Sequence, residues 1–227
     1  LIQTTINNGV TLYRNLYIDN KTRNPKVKGL NQFVNNVLYN WGNGGAYIMG
    51  DTQQKSDADI RNNYFIVGTT DNYDGKKLGA TAPFTRYNEH FSAYLSGNFC
   101  DDNKDGSLNG RELGRADCMK KSVVAGKEII TSPTFLERPS DVHPEIKELM
   151  TAQEAYEWIA ANGGSSLPVR DEVDAYLIDE LTSLGKKGLI IHSEEDIPTK
   201  GPGNIKSAEA PVDTDNDGMP DEFEDKY

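Results

Sequence analysis

The sequence predicts an all-β fold, a stack of parallel β-helix coils followed by a C-terminal extension that contains short helices. Three observations carry this expectation. Four segments share one core, at residues 12–18, 33–39, 60–66 and 94–100. In each, an asparagine splits two short apolar runs, and these asparagines (Asn15, Asn36, Asn63 and Asn98) recur at intervals of 21, 27 and 35 residues. A period of about twenty residues with growing insertions is the mark of a solenoid whose loops lengthen on one face. Finally, the chain has 227 residues and a hydrophobic content of 36%, which is low for a compact α/β enzyme and suits a loop-rich β architecture.

The first 130 residues hold the coils. Stacked asparagines at a coil corner can hydrogen-bond through their amides from one coil to the next, and asparagine tolerates the left-handed backbone that a bend needs. An antiparallel sandwich would instead show period-two alternation with turns every ~8–12 residues. From Thr131 the pattern changes, because Pro133, Pro139 and Pro144 mark an extended crossing segment. Thr151 and Glu154 form a capping box that opens an amphipathic helix through Ala161, and Asn162-Gly163-Gly164 ends it. Asp171 to Leu184 predicts a second helix with Val173, Leu177, Ile178 and Leu181 on one face. A short apolar strand over Leu189–Ile191 precedes a Pro/Gly/Lys-rich linker at Pro198–Asn204. The expected organisation is coils at 1–130, a helical extension packed on them at 131–200, and a linker with a closing acidic motif at 201–227.

Two acidic loops carry the most specific chemistry. Asp101, Asn103, Asp105, Ser107, Asn109 and Glu112 place oxygen donors at positions one, three, five, seven, nine and twelve of a twelve-residue loop. Gly106 takes the sharp turn and Leu108 the apolar position. A hard cation that wants six to eight oxygens, Ca²⁺, fits this spacing. The loop is an insertion at the end of the fourth coil. A second loop spans Asp213 to Glu224, with Asp213, Asp215, Asp217, Met219, Asp221 and Glu224 in the same register. Its Pro220 departs from a regular EF-hand, so a compact calcium clasp is expected.

Cys100 and Cys118 bracket the first loop. A disulfide between them would staple it shut and fit an oxidising, extracellular setting; two buried free thiols are the alternative. The formal net charge of −11 argues against a nucleic-acid surface. No run of eighteen apolar residues is present to span a membrane. The chain opens on a strand-like Leu1–Ile6 without a start methionine, which gives the expectation of a piece cut from a longer secreted protein.

Within this acidic chain, Arg23, Lys26 and Lys28 gather in six positions. Pro25 holds Asn24 extended and Gly29 permits a tight turn. Such a strip binds anions, although basic turns are commonly just solvated.

The sequence resembles polysaccharide lyase family one, the pectate lyases. The residues that carry this are Asn20-Lys-Thr-Arg-Asn-Pro25 and Phe33-Val-Asn-Asn-Val-Leu-Tyr-Asn-Trp-Gly42, together with Ala155-Tyr156, Leu167-Pro-x-Arg-Asp171 and the closing acidic run. The resemblance implies a right-handed parallel β-helix and calcium-dependent β-elimination on 1,4-linked galacturonan. It makes Arg23 the catalytic base, with Lys28 and Lys26 binding the acidic polysaccharide. Arginine is an unusual base, since a free guanidinium holds its proton to above about 12. In the family, the catalytic calcium sits on carboxylates of coils that precede the Arg-x-Pro strand, and a lysine and a Trp-x-Asp-His segment also come earlier. Those elements are not in this sequence, so an N-terminal fragment of the same protein is expected as a partner, with no nucleic acid and no membrane. The two calcium loops are then structural. A non-catalytic, calcium-stabilised solenoid that binds or adheres to acidic glycans is the alternative; a dockerin-like assembly module is poor, because the loops lie so far apart.

Other residues carry weaker expectations. Asn20-Lys-Thr22 is a glycosylation sequon, expected unoccupied. His90, His143 and His192 are expected as surface or core residues. Trp41, Tyr39 and Tyr47 are expected in the core rather than stacked on sugars, and Asp57 and Asp59 in a solvated turn.

Overall fold

The computed structural model describes residues 2–4, 8–42, 45–50, 53–69, 72–73, 76–77, 82–167, 169–191, 193–205 and 209–227. The chain is dominated by strands in parallel sheets. It visits three sheets in the same order on successive circuits. The first circuit supplies β1 (Ile2–Gln3), β2 (Val10–Tyr13) and β3 (Leu16–Ile18), and the second β4 (Lys26–Lys28), β5 (Leu30–Val34) and β6 (Val37–Tyr39). The third supplies β7 (Tyr47–Met49), β8 (Ser56–Arg61) and β9 (Tyr64–Ile66). A small hairpin of β10 (Asn72–Tyr73) and β11 (Lys76–Lys77) precedes the fourth, with β12 (Phe84–Thr85), β13 (Phe91–Ser96) and β14 (Phe99–Asp101). Every pairing between circuits is parallel and in register, as in Leu12 beside Phe33 beside Ile60 beside Leu95.

Alternation along each strand decides what lies inside. Val27, Phe33, Leu38, Tyr47, Ile60, Phe65 and Phe84 point into one shared interior. Its rings touch in sequence: Tyr17 to Phe33, Phe33 to Tyr47, Tyr47 to Phe84 and Phe84 to Phe65, with centroids 5.0 to 6.2 Å apart. Tyr39 and Tyr47 are 1% and 0% exposed and Trp41 is 6% exposed, so all three are packed in the core, as expected.

The asparagine corner forms as predicted, with one difference. Asn15, Asn36, Asn63 and Asn98 link through their side chains between the second and third sheets. The left-handed residue is the one before each: Arg14, Asn35, Asn62 and Gly97, with φ from 54° to 62°. The ladder asparagines themselves thus keep ordinary backbone, and their amides are free to bridge.

The extension covers two of the three outer faces. After β14 the chain adds β15 (Arg111–Glu112), antiparallel to β14, then an exposed hairpin of β16 (Lys120–Val124) and β17 (Lys127–Thr131). The tight Ala125–Gly126 turn of this hairpin gave no signal in the sequence reading. Strand β18 (Thr134–Phe135) then joins the second sheet beside β13. Residues 138–150 run over that sheet. Gln32 donates to Pro144 O at 2.9 Å, and the Asn35 and Asn62 amides donate to Met150 O. Asp57 and Asp59 lie on β8 under this crossing and not in a solvated turn. His143 Nε2 sits 2.9 Å from Asp57, and Arg61 grips the fully buried Asp59 with two bonds of 2.7 Å.

Helix α1 (Ala152–Asn162) is capped by Thr151 and Glu154, and α2 (Glu172–Thr182) by Asp171, close to the expected bounds. Ala152, Tyr156, Ile159 and Leu181 pack on the outward Val37, Tyr39, Tyr64 and Ile66 of the third sheet. Leu189–Ile191 runs alongside without strand pairing, contrary to expectation. A single helical turn, α3 (Asp221–Glu224), closes the chain. His192 lies outside the described residues. No described helix is long and apolar enough to cross a membrane.

Candidate active site and acidic loops

With the extension on the other two sheets, the basic strip falls on the first. Asp19 (φ 55°) and Arg23 (φ 67°) hold left-handed backbone in the turn from β3 to β4. The turn is braced by the Asn24 side-chain amide, which donates to Asn20 O at 3.3 Å, and by the backbone bond from Asn24 N–H to Ala46 O at 2.9 Å. Arg23 is exposed while Asn24 and Pro25 are buried, so the guanidinium stands out from a fixed base. On β4, Val27 enters the core, which turns Lys26 and Lys28 to the outer face. Among the described residues, none of these three cations has a hydrogen-bond or ion-pair partner, whereas Arg14, Arg61, Arg111, Arg115, Arg138, Lys121 and Lys187 are all paired. Gly29 follows with φ 80°, and Thr4 O lies 2.1 Å from where a Cβ would stand, so only glycine fits there. The strip can therefore offer three uncommitted positive charges to an anionic ligand.

The first acidic loop folds on its own amides. The N–H groups of Asp105, Ser107 and Asn109 donate to Asn103, Asp105 and Asp101, at 2.9, 2.7 and 3.2 Å. The Asn109 side-chain amide reaches Asp105 at 2.9 Å, and with the Ser107 N–H it holds the Asp105 carboxyl below its usual range. Burial pushes the Asp101 carboxyl up. Gly106 has φ 84° and its N–H donates to Leu184 O at 3.3 Å, while Leu108 packs against the α1–α2 cluster. Glu112 is placed by β15, opposite Phe99. The donor set is all oxygen and suits Ca²⁺.

The second loop brings its carboxylates closer together. Asp213, Asp215 and Asp217 each offer an oxygen within 4.8 Å of the others, and this is the one such group among the described residues. Asp213 accepts the N–H groups of Asn216 and Gly218 at 2.8 and 3.0 Å, which curls the backbone around the cluster. Three carboxylates this close repel one another unless a cation sits among them. Asp221 is turned away to accept the N–H and hydroxyl of Thr214, both at 2.7 Å, and Glu224 and Met219 are exposed. Pro220 is the N-cap of α3, a single turn, in keeping with a compact clasp.

The expected disulfide is absent. Cys100 and Cys118 are both free and buried, 4% and 0% exposed, in the apolar interior that also holds Phe65 and Leu113. Burial pushes the Cys100 thiol up to about 12 and raises Cys118 further still. They act as small apolar side chains, and bracketing a loop in sequence gave no measure of that packing.

Sequence reasoning missed the buried polar groups under the extension: His143, the partner of Asp57, comes from the distant crossing segment, and Asp59 is held by Arg61 of its own strand and Gln32 of the neighbouring circuit. It also missed the meeting of Asp19 with Glu180.

Along 224 residues, 99% of its length, the chain is 45% identical to a probable pectate lyase C of Emericella nidulans and 44% identical to one of Aspergillus terreus. A probable pectate lyase C of Aspergillus flavus is 42% identical along the same share. These alignments cover 47–48% of the fungal proteins, so the chain spans about half the length of the curated relatives it matches. They lend no support to the companion fragment expected from the sequence. No protein-family model matches the chain, and no solved structure matches it.

Proposed function

We propose that the chain is a member of the pectate lyase family and carries the base and part of the substrate cleft of a secreted, calcium-dependent pectate lyase. Its circuits are the coils of a right-handed parallel β-helix, residues 1–130 with the loop 101–112 inserted. Residues 131–200 are the extension and 201–227 the clasp. The observation that carries this reading is the exposed Arg23, without a partner among the described residues, next to Lys26 and Lys28 on the outer face of β4.

The substrate is 1,4-linked α-D-galacturonan. Lys28 and Lys26 hold uronate carboxylates on the outer face of β4, which orients the chain across the turn. Arg23 takes the C5 proton. The C5–H electron pair forms the C4–C5 double bond, and O4 leaves with the C4–O pair and picks up a proton. Calcium, when bound at the uronate carboxylate, would withdraw charge from it and acidify C5–H. The two acidic loops would hold structural calcium through Asp101, Asn103, Asp105, Ser107, Asn109 and Glu112, and through Asp213, Asp215, Asp217, Met219, Asp221 and Glu224.

The test is the ultraviolet absorbance of unsaturated ends released from polygalacturonate with calcium, using the protein in its full-length form and its Arg23→Ala variant. A wild-type rise that Arg23→Ala abolishes, with melting temperature unchanged, supports the reading. A variant as active as wild type would sink it.

A further inference from the structure

Two acidic side chains meet where α2 packs on the end of the third sheet. Asp19 ends the first circuit and opens the turn that leads to Arg23. Glu180 lies in the last turn of α2 and is 3% exposed. Their carboxyl groups are within hydrogen-bond distance of each other. Each has one oxygen already satisfied. The Asn40 side-chain amide donates to Asp19 Oδ1, and the Tyr176 hydroxyl donates to Glu180 Oε1. The remaining two oxygens, Asp19 Oδ2 and Glu180 Oε2, are buried and have no partner among the described residues.

Two facing carboxylates with one free oxygen each lack a single donor. One proton on Asp19 supplies it and turns repulsion into a hydrogen bond. Lys187, beyond the end of α2, is committed to Asp179. Lys186 lies over Gly106 of the first acidic loop. The other groups that face the pair are the hydroxyls of Tyr39 and Tyr176, neutral donors, and the Leu189 N–H, which donates to Asp19.

We propose that Asp19 keeps a proton and donates it to Glu180, forming a pH-sensitive latch that fastens α2 to the turn carrying Arg23. The latch stands on this geometry alone, whether or not Arg23 is a catalytic base. Burial first, then the facing Glu180, pushes the Asp19 carboxyl up to about 8, against ~3.9 for a free aspartate. Across that window the folded chain holds a proton that the undocked segment releases. The latch is therefore strongest at the acidic end, and its contribution is lost as pH rises through about 8.

Amide hydrogen exchange on the calcium-saturated chain tests this, read as protection factors for α2 between pH 6 and 8. Wild-type protection should fall with rising pH, by at most about tenfold per pH unit for one proton. Asp19→Asn places a permanent N–H donor against Glu180 Oε2, so its α2 should stay protected with no pH dependence. Glu180→Gln does the same from the other side and serves if the first variant folds poorly. A wild-type profile that is flat across this range, or one whose slope persists in both variants, overturns the latch. Lyase activity plays no part in the readout, so failure here leaves the functional reading untouched.

Discussion

Asn36 Oδ1 accepts both the backbone N–H and the side-chain amide of Asn15, at 2.9 and 3.0 Å. The same double bond recurs from Asn36 to Asn63 and from Asn63 to Asn98, so one residue type settles the corner of four successive circuits. Each ladder amide also donates to a carbonyl of the preceding circuit: Asn36 to Leu12, Asn63 to Phe33 and Asn98 to Ile60.

Asn63→Ala should be among the most damaging single changes in the body. It leaves the Asn36 N–H and amide, Asn98 Oδ1 and Phe33 O short of partners in a site with no water access. A loss of about 2–5 kcal/mol is expected, measured by urea unfolding. The exposed Asn20→Ala serves as control. Equal stability of the two variants would refute the ladder's role.

Lys28→Ala and Lys26→Ala should weaken binding of polygalacturonate while leaving the melting temperature unchanged, because neither lysine has a protein partner among the described residues. Each is expected to lower affinity by up to about fivefold, as for a solvent-facing charge contact. The effect should shrink in high salt. Titration calorimetry at two ionic strengths checks both points.

Arg61→Met strands the fully buried Asp59 carboxylate, which then keeps only the Gln32 amide at 3.1 Å. Breaking one side of a buried pair costs about 3–5 kcal/mol. The double change Asp59→Leu with Arg61→Met should recover much of it. Thermal unfolding of the three proteins decides this.

The two cysteines should resist alkylation in the native chain. With the Cys100 thiol raised to about 12 by burial, the thiolate at pH 8 is about one part in ten thousand. Mass spectrometry after iodoacetamide should find both unmodified until the protein is unfolded. Dithiothreitol should leave the melting temperature unchanged.

Asp215→Ala should remove one calcium-binding event from the isotherm. The melting temperature of the body should not change, since this segment packs little against it. An unchanged stoichiometry would show that the clasp holds no ion.

Much of the architecture was legible without coordinates because it rests on local, repeated chemistry. The asparagine spacing marks one corner per circuit whatever the length of the loops between. The capping residues Thr151, Glu154 and Asp171 satisfy the first N–H groups of their own helices, so both helices could be placed within a residue or two. The acidic loops are legible for the same reason, as their donors follow a fixed stride. Arg23, Lys26 and Lys28 stood out as a cluster, but their freedom from partners could not be read from it.

What the tertiary structure alone decided is which distant groups meet. Asp59 meets Gln32 because the circuits stack in register, while Asp57 finds His143 and Asp19 finds Glu180 because the extension folds back over the second and third sheets. A sequence records the charge of each side chain. Its partner depends on contacts between residues far apart in the chain, 27 apart for Gln32 with Asp59 and 86 for Asp57 with His143, and only folding brings those together.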